Sequence, residues 1–241
     1  VTRIGQVRKG GHTFAQFEPE ELRDAAGRSV KRLQRKPIDV LLLHNPPNKV
    51  LSAPRFLDAM GSLKKDDVYT VWGGSTSDPE AAMRLLDLGA KVLSIPLHLF
   101  NLWRWWRVLD RVERESLGVF VNSPLLHGVL ADPKVLGKLD LPTDHRQRRF
   151  SEQRRIELRE GTTKIQESLG LPLMEVALRT LQSIPAVKAI AVGARNKVEL
   201  QTAVASAKGP LTTEALASVE QLGLWPGRKT IAQPSSLDPT T

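Results

Sequence analysis

His44 is the residue of this chain best placed to do chemistry. It ends the run Pro37-Ile38-Asp39-Val40-Leu41-Leu42-Leu43-His44 and is followed by Asn45-Pro46-Pro47. An imidazole can polarise an oxygen or move a proton near neutral pH. The apolar run, bounded by proline on both sides, reads as a strand buried on both faces of a parallel sheet. Neither following proline offers an N–H, so the ladder stops there. His44 is thereby set at the carboxyl end of a buried strand, the end at which βα proteins carry their chemistry. Asp39, at the other end of the run, reads as structural.

Other candidates have a plainer reading beside the chemical one. His98, in Leu97-His98-Leu99, reads equally as a pocket-lining residue and as a half-buried histidine at a strand end. His127 reads as loop. Trp103, Trp105 and Trp106 fall at helical spacing, which favours packing over an apolar substrate site or a partner surface. The basic residues Arg146, Arg148, Arg149, Arg154 and Arg155 read as a solvated helix face rather than a landing site for an anionic partner. The chain has no cysteine, which excludes disulfides and thiolate chemistry. No metal site is expected.

The elements that must position His44 follow from patterning. Ala26, Val30 and Leu33 recur at helical spacing behind Pro19, so residues 18–35 are expected to be a helix leading into the strand 38–43. Val1–Gly5 reads as a strand end running into a Gly-rich loop at Gly10-Gly11. Further strands are expected at Val68–Trp72, Lys91–Ile95, Gly118–Asn122 and Val187–Val192. Helices are expected near 56–63, 79–88, 102–115, 152–168, 173–183, 197–207 and 212–222, with Asp78 capping and Pro79 at the first helical position. A polar stretch spans roughly 131–151, and the Pro/Ser/Thr tail 226–241 is expected to be disordered. Strands alternating with helices argue an α/β fold with a parallel sheet. No Gly-x-Gly-x-x-Gly follows a strand, which weighs against a Rossmann site. Six βα units with C-terminal helices over 1–225 fit a (β/α)8 TIM-type barrel lacking two units better than a complete open sheet.

Composition narrows the class. The 241 residues are 41% hydrophobic and 25% charged, an ordinary soluble balance. No apolar run approaches the roughly 20 residues of a membrane span, and no signal-peptide pattern opens the chain, so a cytoplasmic location is expected. The net charge of +9 comes from 35 basic residues spread over nearly every helical segment, so nucleic-acid binding is not expected.

Five segments, Ser29–Leu33 with Ile38–His44, Trp72–Thr76, Asn122–Leu125 with Gly128, Asp144–Arg146 and Val192–Arg195, together resemble the aldo-keto reductase family. Ser29-Val30-Lys31-Arg32-Leu33 followed by Ile38-Asp39-Val40-Leu41-Leu42-Leu43-His44 is similar to that family's Ser-Leu-x-Arg-Leu and Asp-Leu-x-x-x-His segment. Trp72-Gly73-Gly74-Ser75-Thr76 resembles its Ile-Gly-Val-Ser-Asn strand end. Asn122-Ser123-Pro124-Leu125 with Gly128 resembles Tyr-Ser-Pro-Leu with its glycine, and Asp144-His145-Arg146 resembles Asp-x-Arg. Val192-Gly193-Ala194-Arg195 resembles the Pro-Gly-x-Arg turn. The five fall in the family's order.

The resemblance implies hydride transfer between NADP or NAD and a small carbonyl or alcohol substrate. In the family a tyrosine acts as general acid, supported by a lysine, an aspartate and a histidine. His44 matches the histidine, and Arg3 stands where the lysine would be. Ser75 and Thr76 match the positions that bond the nicotinamide carboxamide, and Ser94 stands where a glutamine is common. Asn122 replaces the ring that stacks on the nicotinamide. Ser123 and Leu125 match the pyrophosphate loop, and Gly193 and Arg195 the adenosine-side loop. Ala203 stands where an adenine-binding asparagine is common. Glu199 stands where an arginine in some members meets the 2′-phosphate, which leans the preference toward NAD.

The family's first two βα units, with its aspartate and tyrosine, have no counterpart in the sequence, and the one tyrosine, Tyr69, falls inside a later strand. Arg3 keeps the charge of a lysine but is a planar fork on a longer arm. The Val1 start fits a fragment or a mis-called start, with a degenerate barrel as the alternative. A barrel without those units has two open sheet edges, for which self-association is one expected cover. The alternative function is a non-redox binding or regulatory protein on the same barrel.

Overall fold

A computed structural model of the protein describes residues 1–138 and 149–224. The Asp144-His145-Arg146 match, Arg146, Arg148 and the tail 226–241 lie outside the described residues.

The elements run β1 (Thr2–Ile4), β2 (Gln6–Lys9), β3 (His12–Ala15), α1 (Pro19–Leu33), β4 (Ile38–His44), α2 (Asn48–Ser52), α3 (Phe56–Lys65), β5 (Tyr69–Ser75), α4 (Pro79–Asp87), β6 (Val92–Pro96), α5 (Leu102–Arg114), β7 (Gly118–Asn122), α6 (Val135–Lys138), α7 (Glu152–Leu169), α8 (Leu173–Gln182), β8 (Val187–Ile190), α9 (Lys197–Ser206) and α10 (Thr213–Gln221). Six strands form one sheet in the order β1-β4-β5-β6-β7-β8, and β2 and β3 form a separate hairpin. The chain divides into two compact units, residues 1–96 with 107–120, and residues 97–106 with 121 onward.

In the first unit β1, β4, β5 and β6 are parallel neighbours, in the registers Ile4↔Leu43, His44↔Ser75 and Ser75↔Ser94. Leu41, Leu42 and Leu43 are buried, so the apolar run is covered on both faces as its composition requires. The helices start where local chemistry says they should. Glu18 and Glu21 form a capping box, with the Glu18 N–H donating to Glu21 Oε2 at 3.2 Å ahead of Pro19. Asp78 Oδ1 accepts from the Glu80 N–H at 3.1 Å, with Pro79 at the first helical position. Helix α1 buries Leu22 and Ala26, and α4 buries Leu85 and Leu86.

In the second unit the Ala191 N–H donates to the Val121 carbonyl at 2.8 Å, which joins the chain after β8 to the end of β7. Helix α7 starts on Ser151, whose hydroxyl accepts from the Arg154 N–H, and ends at Gly170 in the left-handed region. Arg179 bonds Glu175 Oε1 at 2.8 Å and the carbonyls of Gly209 and Pro210, tying α8 to the turn after α9.

Three sequence expectations are corrected. Residues 6–15 are not a plain Gly-rich loop but an antiparallel hairpin turning on Gly10 (φ +56°) and Gly11 (φ +82°). A two-residue turn with both φ positive matches the twist of a hairpin, and only glycine adopts it without steric cost. Strand β5 runs on through Gly73 and Gly74 to Ser75 instead of stopping at Trp72. Strand β8 stops at Ile190, short of Val192.

Candidate active site

Four polar side chains meet at the carboxyl ends of the first unit's strands. Side chains alternate along a strand, and residues in register across a parallel sheet share a face. Arg3 is in register with Leu42, and His44 is two residues beyond Leu42, so Arg3, His44, Ser75 and Ser94 all fall on one face. His44 Nδ1 lies 3.0 Å from Ser75 Oγ, and Arg3 Nη2 donates to Ser94 Oγ at 3.2 Å. The second bond shows how the sheet bends. In a flat sheet β1 and β6 would stand about 14 Å apart, three strand spacings. An arginine arm spans about half of that, so the strands of this unit curl to bring the two ends together.

Burial sets the electrostatics. Ser75 and Ser94 are each 3% exposed and Thr76 is 7% exposed, while His44 is half-buried and Arg3 exposed. The His44 pKa is lowered from its ordinary value, first by burial and then by the Arg3 charge. The imidazole is therefore neutral at neutral pH beside a fixed cation. A neutral ring bonded through Nδ1 has its other nitrogen as the remaining donor or acceptor. Thr76 serves the backbone instead: its hydroxyl accepts from the Asp78 N–H at 3.0 Å and shapes the turn into α4.

Tyr69 stands at the far end of the same sheet. It opens β5 while Ser75 closes it, and its hydroxyl donates to the Met60 carbonyl at 3.0 Å with the residue 4% exposed. Burial raises its pKa. It has no part in the Arg3–His44 cluster.

The remaining sequence candidates belong to the second unit. Ser123 Oγ donates to Asn122 Oδ1 at 3.4 Å, and the Asn122 carbonyl accepts from the Leu97 N–H. The loop after it is contorted, with positive φ at Ser123, Leu126, His127 and Gly128. The Leu125 carbonyl accepts from the N–H groups of Gly128 and Leu130 and holds that shape. Successive backbone N–H groups in such turns make concavities suited to anions. Gly193 faces open space. Arg195 is folded onto Glu199 through Nε at 3.0 Å and Nη2 at 2.7 Å, and its N–H donates to Glu199 Oε2. Those bonds, the side-chain one foremost, lower the Glu199 pKa.

The sequence reading missed that Ser75 is the partner of His44 and Ser94 the partner of Arg3. The first was within reach, since counting both strands to their ends puts His44 level with Ser75. The second depends on how far the sheet curls. Among the described residues no group of acidic or histidine side chains is arranged to hold a metal ion. Among them, too, no helix is long and apolar enough to cross a membrane.

The chain is similar to known proteins in family and in fold. The model of the aldo/keto reductase family matches residues 7–223. Among solved structures, the holo form of the aldo-keto reductase AKR11C1 from Bacillus halodurans superposes with a TM-score of 0.74 at 20% identity, covering 91% of this chain and 71% of that one. Its apo form gives 0.68 at 22% identity, covering 85% and 68%. At these identities the likeness is one of fold, that of a TIM-type α/β barrel. No curated protein matches the chain. The family match spans nearly the whole chain, and the chain therefore belongs to the aldo/keto reductase family, oxidoreductases of carbonyl and alcohol groups.

Proposed function

We propose that this chain interconverts carbonyl and alcohol groups of small molecules with NADP or NAD, at the strand ends that carry Arg3 and His44. The observation that supports this most is the pairing of a neutral, oriented imidazole with an adjacent fixed cation. A carbonyl being reduced becomes an alkoxide, and pre-placed donors and charge lower the cost of that oxyanion. Ser75 donates to Nδ1, which leaves Nε2–H of His44 to bond the carbonyl oxygen. Arg3, steadied by Ser94, holds the developing charge. Tyr69 is bonded to the Met60 carbonyl and does not serve as the proton donor to the alkoxide.

Membership of the family supports a dinucleotide cofactor. In the first unit Ser75, Thr76 and Ser94 would hold the amide of the nicotinamide. The loop from Ser123 to Gly128 would take the pyrophosphate on its backbone, Leu125 included. Gly193 and Arg195 would meet the adenosine side, where the Glu199 carboxylate bound to Arg195 opposes a 2′-phosphate and favours NAD. When bound, the reduced nicotinamide supplies the hydride.

Titration with NADH and NADPH, followed by nicotinamide fluorescence, is expected to show saturable binding, tighter for NADH. No change with either would sink the proposal. His44→Ala is expected to lower kcat/KM by roughly 100-fold while leaving NADH binding unchanged. An unaltered rate would remove His44 from the mechanism. A second reading, a non-redox binding or regulatory protein, is favoured by one observation: Ser75 and Ser94 are already engaged by His44 and Arg3, and Tyr69 by Met60. The same titration separates the two. The cytoplasm remains the proposed location. Self-association through β1 and β8, the terminal strands of the sheet, remains the proposed contact between chains, and sedimentation tests it.

A further inference from the structure

The β2–β3 hairpin is a two-stranded sheet of its own, apart from the six-stranded one. All four residues of β3 are exposed, and Phe14, at 50% exposure, is the one aromatic among the largely exposed apolar side chains of the described residues. A two-stranded hairpin is marginal in water on its own. This one is instead clamped at its base, where the Gln16 N–H donates to the Gly5 carbonyl at 2.9 Å. Gly5 is in the left-handed region, at φ +97°, and the Phe17 ring occupies the space a side chain there would need. The base is thus fixed and the tip is left standing out.

Its position is informative. Ile4 is in register with Leu43, so the next step along β1 and β4 sets Gly5 level with His44, about 5 Å away across one strand spacing. The hairpin therefore springs from the rim of the Arg3–His44 cluster, within the same unit. Val7 pairs with Phe14 across the hairpin, so the two share a face, and Arg8 pairs with Thr13 on the other. From Gln6 to Gln16 the segment carries Arg8, Lys9 and His12 and no acidic residue.

We propose that this hairpin is the substrate lid of the strand-end site, and that it selects carbonyl compounds with an apolar body and a negatively charged group. Val7 and Phe14 cover the body, and the positive charge of the hairpin, to which Arg8 contributes from the opposite face, attracts the negative group. The proposal rests on the strand-end cluster being the place of reaction, and it concerns substrate rather than cofactor.

Limited trypsin digestion after Arg8 and Lys9 tests it, read by intact mass, on the full chain with 4-carboxybenzaldehyde or benzaldehyde as probes. Cleavage at those sites tracks the population with the hairpin open. The carboxylated aldehyde is expected to slow cleavage at least about fivefold, benzaldehyde less, since protection grows with ligand affinity for the closed form. Phe14→Ala is expected to abolish protection by both aldehydes. Arg8→Gln, which leaves the Lys9 site, is expected to narrow the difference between them, and an unchanged difference overturns the charge selection. Cleavage unchanged by either aldehyde at concentrations where turnover is saturated overturns the lid, as does full protection in Phe14→Ala. Nicotinamide fluorescence is measured on the same samples. Protection by the aldehyde without any cofactor signal supports the lid while sinking the redox reading, so the two fail separately.

Discussion

Gly73→Ala is expected to cost the protein about 3 kcal/mol or more, more than typical core overpacking. Gly73 lies in β5 between Leu42 of β4 and Val92 of β6. A Cβ built there would overlap the Val92 carbonyl oxygen, which is backbone and cannot swing aside as a side chain would. Relief requires β5 and β6 to move apart, and that motion carries Ser75 and Ser94 with it. The two bonds that orient His44 and steady Arg3 would be lost together with stability. Gly27 and Gly61 are the controls: they sit in α1 and α3, and apart from the adjoining chain and helix backbone no atom of the described residues lies within 4 Å of an added Cβ. Alanine at either is expected to stabilise by about 0.5 kcal/mol through the unfolded chain. Urea unfolding followed by tryptophan fluorescence measures all three, and a Gly73→Ala midpoint equal to that of Gly27→Ala would refute the close approach of the two strands.

The same glycine marks the border of what could be read from sequence. Strand β4 was legible because an apolar run between prolines has few other solutions, and α4 because Asp78-Pro79 is a helix start with a mechanism. The end of β5 was not, since glycine weakens a strand by propensity and its tolerance depends on Val92, a residue nineteen positions on that pattern alone does not bring near. The hairpin was missed for another reason. Its Gly10-Gly11 turn was visible, but Gln-Val-Arg-Lys and His-Thr-Phe-Ala lack the apolar alternation of a buried strand, because none of their described side chains is buried. Exposure removed the signal that burial writes into a sequence. His44 was readable as a strand-end residue. Its partner Ser75 needed a register, and Arg3 with Ser94 needed a curvature, and these are properties of the assembled sheet rather than of any segment.

Acidification is expected to destabilise the protein well above the range of its carboxylates, and His98→Phe is expected to remove most of that loss. His98 follows Leu97 at the end of the β6 segment, with its backbone N–H donating to Asn101 Oδ1 at 2.8 Å. Its ring Nδ1 is buried and has no hydrogen-bond partner among the described residues. Burial pushes its pKa down to about 3, and the Arg154 and His127 charges push the same way. Because the folded value lies below the unfolded one of 6.5, the unfolded chain binds the proton more readily. Stability is complete above the unfolded value and falls as pH drops toward the folded one. At about 1.4 kcal/mol per pH unit, the window from pH 6.5 to 5 removes at most roughly 2 kcal/mol. His44, also lowered, adds a smaller loss of the same sign. The lowered carboxyl groups of Glu175, Glu199 and Glu214 act only below their ordinary value of 4.5, outside this window. Phenylalanine fills the ring's place without the orphaned nitrogen, so at pH 7 the variant is expected to be at least as stable as the parent. Unfolding midpoints at pH 7, 6 and 5 decide the matter: a parent curve as flat as that of His98→Phe would mean that His98 can take up its proton in the folded protein, and that the pocket between Arg154 and His127 is open to water.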